Sequence, residues 1–271
     1  MRRMLIFGLG YSASAIAARL EAQGWAVRAT GRRGDVDFAD SPAVAAAIGW
    51  ASHILSSVPP LREGGDPVLL AHGAALAGSG RWLGYLSSTG VYGDCGGAWV
   101  DETAPIGTGR RTARAAADAA WLALGARVFR LPGIYGPPLA GLGGRSAFER
   151  LAEGRAHRIL APGQVFSRIH VADIAGAVAA ALARAAPAGA YNIADDAPCH
   201  PNTVIEEACR LAGWPLPPLL APDDPALPPL TRAFYGENRR VAATKAQRLL
   251  GWRPLYADWR AGLRAIWAAR A

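Results

Sequence analysis

The chain has 271 residues, 51% hydrophobic and 18% charged, which provides for a sizeable core and excludes general disorder. Its formal charge of +8 rests on arginine, 28 of the 29 basic residues with Lys245 the only lysine, but no basic run exceeds two residues, so no specific nucleic-acid partner is expected. Cys95, Cys199 and Cys209 form no zinc or disulfide framework, no other metal-ligand spacing occurs, and no apolar run reaches the ~18–20 residues of a membrane span, so a cytoplasmic protein with reduced thiols, no resident metal and no membrane partner is expected.

In chain order, residues 4–7 (MLIF) read as a short buried strand, Gly8 to Gly10 as a tight turn, and 12–23 as a helix that Gly24 ends. Arg2 and Arg3 ahead of an apolar stretch also have the form of a signal peptide, but strand, turn and amphipathic helix account for the same residues better. Residues 25–29 and 36–38 read as strands, and Ser41 with Pro42 as the N-cap and first turn of a helix through Ile48. A strand at 53–58 is closed by Pro59-Pro60, and Asp66-Pro67 opens a helix toward Gly78. Then follow a strand at 82–88, an Ala-rich helix at 110–124 and a strand at 127–131. The alternation predicts an α/β, Rossmann-type doubly wound parallel sheet. The second half is Gly- and Pro-rich over 132–168, with one short helix near 146–153. It continues with a helix at 171–184, a strand at 191–193, a helix at 201–213, a Pro-rich loop at 214–230, and closing helices at about 241–250 and 259–269.

The first strand feeds Gly8-Leu9-Gly10-Tyr11-Ser12-Ala13, a G-x-G-x-x-A fingerprint. The first glycine permits the turn, the second lets the backbone approach a pyrophosphate, and the small third residue lets helix and strand pack closely. The N–H groups of the helix start then face the phosphates, which makes Gly8, Gly10, Tyr11, Ser12 and Ala13 candidate cofactor residues. The second strand ends Ala29-Thr30-Gly31-Arg32-Arg33, without the carboxylate that holds an NAD ribose. Arg32 and Arg33 suit a 2′-phosphate, so NADP is favoured; Asp35 and Asp37 keep NAD open. Ser56 and Ser57 end a parallel strand at the cofactor edge, with Ser56 a candidate for the nicotinamide ribose; a plain strand-end loop accounts for both equally. Asp40 is a candidate for the adenine side or for a helix cap.

Further motifs follow in order: Leu86-Ser87-Ser88-Thr89-Gly90-Val91-Tyr92-Gly93, Asp101-Glu102-Thr103-Ala104-Pro105, Arg130 to Tyr135-Gly136-Pro137, Arg168-Ile169-His170-Val171-Ala172-Asp173, and Leu250-Gly251-Trp252-Arg253-Pro254. Together they resemble the extended short-chain dehydrogenase/reductases, the NAD-dependent epimerase/dehydratase group, over nearly the whole chain. The resemblance implies a cofactor domain over 1–131 and 168–195, and a small, discontinuous C-terminal substrate-binding region over 132–167 and 196–271. It allows a homodimer and implies a small-molecule substrate that no motif identifies.

In that family a Ser or Thr orients the substrate oxygen, and a Tyr and Lys in Y-x-x-x-K move the proton and hold the ribose. Matching on V-Y-G places Ser88 at the Ser/Thr position. Matching on the downstream acid, Asp118, places Arg110 at the Tyr position and Arg114 at the Lys position, so the chain resembles the family's atypical members. Arginine keeps its proton throughout the accessible pH range and does not replace a phenol. Tyr92 is the nearest candidate to take over as proton donor. Arg168 and His170 are substrate-side candidates, His170 with a structural hydrogen-bonded role as the alternative. The sequence therefore supports an NADP-favouring oxidoreductase or epimerase/dehydratase-like protein with a non-standard proton donor, or a non-catalytic NADP-binding sensor or partner-binding module.

Overall fold

A computed structural model describes residues 2–270, with Leu230 described by its backbone alone. The first half runs β1 (Arg3–Phe7), α1 (Tyr11–Glu21), β2 (Ala26–Ala29), α2 (Ser41–Trp50), β3 (His53–Ser56), α3 (Pro67–Ala77), β4 (Trp82–Ser88), β5 (Trp99–Val100), α4 (Thr112–Ala123) and β6 (Arg127–Leu131). The second runs β7 (Gly133–Tyr135), α5 (Ala147–Ala152), β8 (Arg158–Ile159), β9 (Arg168–His170), α6 (Val171–Ala183), β10 (Gly189–Asn192), α7 (Pro201–Ala212), β11 (Leu219–Leu220), α8 (Pro229–Tyr235), β12 (Arg240–Val241), α9 (Thr244–Leu250) and α10 (Trp259–Ala268).

Six parallel strands make the main sheet in the order β10-β6-β4-β3-β1-β2. β1 is flanked by β3 on one side and β2 on the other, so the chain reverses its winding there. The crevice at the carboxyl ends of β1 and β3 is the place where such sheets bind ligands. α1 and α6 cover one face through Ile16, Leu20, Ile174 and Val178. α2, α3 and α4 cover the other through Val44, Ile48, Val68, Leu76 and Trp121. The expected doubly wound sheet is therefore present, and the residues reading as a third strand are reduced to a single bridge between Thr30 and Val36.

Local chemistry explains the helix starts. Asp66 accepts from the N–H groups of Val68 and Leu69, with Pro67 in the first turn of α3. α2 departs from the sequence reading: its N-cap is Asp40, which accepts from Ala43 N at 2.9 Å, and Ser41 already lies inside the helix. A separate core joins α5, α7 and α10 through Phe148, Ile205, Trp259 and Ile266. Leu250 and Trp252 pack instead with α1 and α6. The segment reading as a Pro-rich loop holds β11, which pairs with β8, and runs into α8. Val241 belongs to β12, paired with β5, rather than to the helix that follows. Among the described residues no helix is long and apolar enough to cross a membrane.

Candidate functional site

The carboxyl ends of β1, β3 and β4 open into a cleft of about 1090 Å³, walled on its far side by α5, β9, α8 and α10. Gly8 has φ +82°, and a Cβ there would meet Val58 Cγ2 at 2.9 Å, so the turn requires glycine. A Cβ on Gly10 would meet nothing within 4 Å, so the turn's face is open. Gly10 is the N-cap of α1, and no side chain caps the helix start, which leaves the first N–H groups available to an anion. Ala13 is fully buried beneath, as the fingerprint requires. Ser12 lines the cleft. Tyr11 also lines it, but its hydroxyl donates to Pro137 O at 2.7 Å, and burial raises its pKa to about 12. These groups fit a dinucleotide pyrophosphate.

The two arginines after β2 differ. Arg33 donates to Ser14 Oγ and to Ala140 O, which ties it to the loop before α5. Arg32 is exposed and has no hydrogen bond or ion pair among the described residues. Asp35 is occupied by Arg28 Nε at 2.7 Å and Ala29 N at 2.8 Å. Asp37 accepts from Ala39 N at 3.0 Å. Asp40 serves as the α2 cap. Ser57 reaches the cleft and donates to Gly8 O. Ser56 does not: it is fully buried, and its hydroxyl oxygen accepts from Val58 N.

At the end of β4, Ser88 lines the cleft and its Oγ accepts from Gly90 N at 3.1 Å. Arg114 also lines the cleft, and its Nη1 donates to Tyr85 Oη at 2.7 Å. Arg110, expected beside them, is turned away. Its backbone N–H donates to Glu237 Oε1 at 3.1 Å, its Nε lies 3.6 Å from that oxygen, and its guanidinium stacks on Phe234. Arg111 enters the cleft instead. Its side chain passes over Gly90, where an added Cβ would come within 2.4 Å of Arg111 Cδ, 2.9 Å of its Nε and 3.3 Å of Ser88 Oγ. Burial, then the neighbouring charges of Arg110 and Arg114, depress its pKa. Adjacency to Arg110 was its only sequence signal.

Tyr92 is corrected as a proton donor. It is 1% exposed and lies outside the cleft lining. Its phenol donates to Asn192 Oδ1 at 2.7 Å and accepts from Arg130 Nη1 at 3.0 Å. Burial raises its pKa although Arg130 opposes the shift. The phenol belongs to a buried network in which Arg130 pairs with both oxygens of Asp118 at 2.8 and 3.1 Å, and Ser87 Oγ donates to Asp118 at 2.6 Å. A fully satisfied network of this kind makes the Ser87–Ser88 strand end rigid.

His170 is likewise corrected as a substrate-side residue. It is 4% exposed and lies outside the cleft lining. Its Nδ1 accepts from Ala172 N at 3.2 Å to cap α6, its ring packs against Tyr135 and Tyr256, and burial pushes its pKa down to about 4. Arg168 does line the cleft, with Nη1 donating to Phe166 O at 2.9 Å and to Cys199 Sγ at 3.2 Å. Arg150, on α5, lines the same wall and carried no motif in the sequence. Among the described residues no cluster of three His, Cys, Asp or Glu side chains is placed to hold a metal ion.

No protein-family model and no curated protein matches the chain. Solved structures do. A functionally unknown conserved protein from Silicibacter pomeroyi is 40% identical over 100% of this chain and 99% of its own, with a TM-score of 0.85. A human epimerase family protein solved with NADPH is 18% identical, over 98% of this chain and 99% of its own, at a TM-score of 0.75. The dTDP-glucose 4,6-dehydratase of Bacillus anthracis, in complex with NAD, is 17% identical, over 100% and 97%, at 0.76. The last two are likenesses of fold.

Proposed function

This chain belongs to one family with the Silicibacter pomeroyi protein, an atypical branch of the extended short-chain dehydrogenase/reductase fold, and from that premise we propose that it is an NADP-dependent oxidoreductase or epimerase/dehydratase-like enzyme acting on a small or nucleotide-linked substrate. One observation carries the reading: the glycine turn and Ser88 open onto the same cleft. The turn and the start of α1 would hold the pyrophosphate, and Arg32 the 2′-phosphate. When bound, the nicotinamide supplies or accepts a hydride.

The chain's own groups then act on the substrate oxygen. Ser88 Oγ already accepts from Gly90 N, so its hydroxyl proton is free for the substrate. Arg111 brings fixed positive charge to the same side of Gly90 as Ser88 Oγ, where it stabilises negative charge developing on that oxygen. Because a guanidinium keeps its proton, the proton passes between the substrate oxygen and water in the cleft.

The test is NADPH consumption with a panel of carbonyl compounds and sugar nucleotides. Ser88→Ala and Arg111→Gln should each lower kcat by roughly 10²-fold, the scale of losing one oxyanion donor, while NADPH affinity stays within about twofold. Tight NADPH binding without turnover on any compound would contradict the enzymatic reading.

A further inference from the structure

The wall formed by α5, β9 and α8 carries positive charge that the protein does not neutralise. Arg150 projects into the cleft from α5 and makes no side-chain hydrogen bond or ion pair among the described residues. Arg168, on β9, spends only Nη1 on partners among the described residues, leaving Nε and Nη2 without one there. Its side chain lies over Gly133, where an added Cβ would come 3.6 Å from Arg168 Cγ, so the strand pairing of β7 with β9 sets its position. Tyr235, on α8, lines the same cleft, its ring edge-on to Phe166 and its hydroxyl unpartnered among the described residues.

The nearby acids do not cancel these charges. Glu149 gives its carboxylate to Ser146 N and Oγ and to Arg270. Glu153 pairs with Arg155. Burial raises the Asp195 carboxyl to about 7, against the pull of Ala197 N and Arg168. Arg150 as a whole residue is exposed, and desolvation, then the charge of Arg168, depresses its guanidinium. Tyr235 is raised by burial and lowered by both Arg150 and Arg168. Two like charges facing one space with no counter-ion repel each other, and an oxyanion between them removes that cost while accepting their forked N–H groups.

We propose that Arg150 and Arg168, with the Tyr235 hydroxyl, form an oxyanion subsite that takes a carboxylate or phosphate group of the substrate. The inference rests on reading the cleft as a cofactor-and-substrate site. It narrows the substrate to compounds that carry such an anion in addition to the oxygen at Ser88.

The test uses protein saturated with NADP⁺, so that the glycine turn is filled, titrated calorimetrically with inorganic phosphate and separately with malonate. Saturable binding of at least one anion is expected, and the tighter of the two identifies the group. Arg150→Met and Arg168→Met should each weaken it about tenfold or more, the scale of a charge-assisted contact, with NADP⁺ affinity within about twofold. Arg155→Met, which removes a residue already paired with Glu153, should leave anion binding within the same twofold range. Arg150 has no side-chain partner to lose among the described residues, so its variant reports the subsite even if Arg168→Met unfolds. Unchanged anion affinity in Arg150→Met, or no saturable binding to the wild type, overturns the subsite. Failure of NADP⁺ to bind the wild type instead overturns the cofactor reading, and the anion titration on the ligand-free protein still decides the subsite by its dependence on Arg150.

Discussion

Arg32 and Arg33 are adjacent in sequence and different in use. Arg33 is held by Ser14 and Ala140, while Arg32, in the turn after the second strand, is unpaired among the described residues. A 2′-phosphate contacting Arg32 forms charge-assisted hydrogen bonds worth about 1.5–3 kcal/mol. Arg32→Ala should therefore weaken NADPH binding by about 10- to 100-fold and leave NADH binding nearly unchanged, as read by titration with each cofactor. Equal losses for both would remove the 2′-phosphate argument. The same side-by-side contrast shows where sequence stops being sufficient. Arg110 and Arg111 are interchangeable on paper, but Glu237 captures Arg110 from 127 positions away and leaves Arg111 for the cleft. Tyr92 is withdrawn by Asn192, 100 positions away. The places of Gly8, Gly10 and Ser88 are legible in the sequence because they follow or end the apolar runs of β1 and β4.

At the scale of elements, β4 and β6 fall on the bounds that their apolar runs predict, and Asp66-Pro67 starts α3 as its cap chemistry requires. The two-residue strands β5, β8, β11 and β12 carry no periodicity and pair with partners remote in sequence, so no local pattern announces them. The joints between elements also contain titratable groups. Asp173 accepts from Leu255 N and Tyr256 N, and so fixes the segment leading to α10 to the start of α6. Asp195, just beyond β10, accepts from Ala197 N. Burial raises the two carboxyls to about 6 and about 7. Both are thus raised above their unfolded values. Their contribution to stability is fully present below pH ~4 and is lost as pH rises through about 6 to 7. His170 has the opposite sign, because its depressed pKa favours the fold above pH ~6.5 and costs stability as pH falls toward about 4. Asp195→Asn mimics the neutral form. Between pH 4.5 and 8, urea unfolding should show its stability relative to wild type improving by on the order of 3 kcal/mol. A gap that does not change with pH would refute the assignment.

Over the whole molecule, the charge of +8 identifies no partner by itself, but its placement does matter. Arg111, Arg114, Arg150 and Arg168 line one cleft, and its acids Glu149 and Glu237 are already paired. A cleft of one sign focuses the field on anionic ligands, which is what the proposed dinucleotide phosphate and the proposed anionic substrate group would need. On the proposed reading, arginine at positions 110 and 114, where the family carries Tyr and Lys, is a change of chemistry at a retained cofactor site. The most direct test is a crystal structure of the protein grown with NADPH. The pyrophosphate should lie on the turn from Gly8 to Ala13, the 2′-phosphate at Arg32, and the nicotinamide beside Ser88 and Arg111. A dinucleotide absent from the cleft, or bound with its nicotinamide remote from Ser88, would contradict this placement.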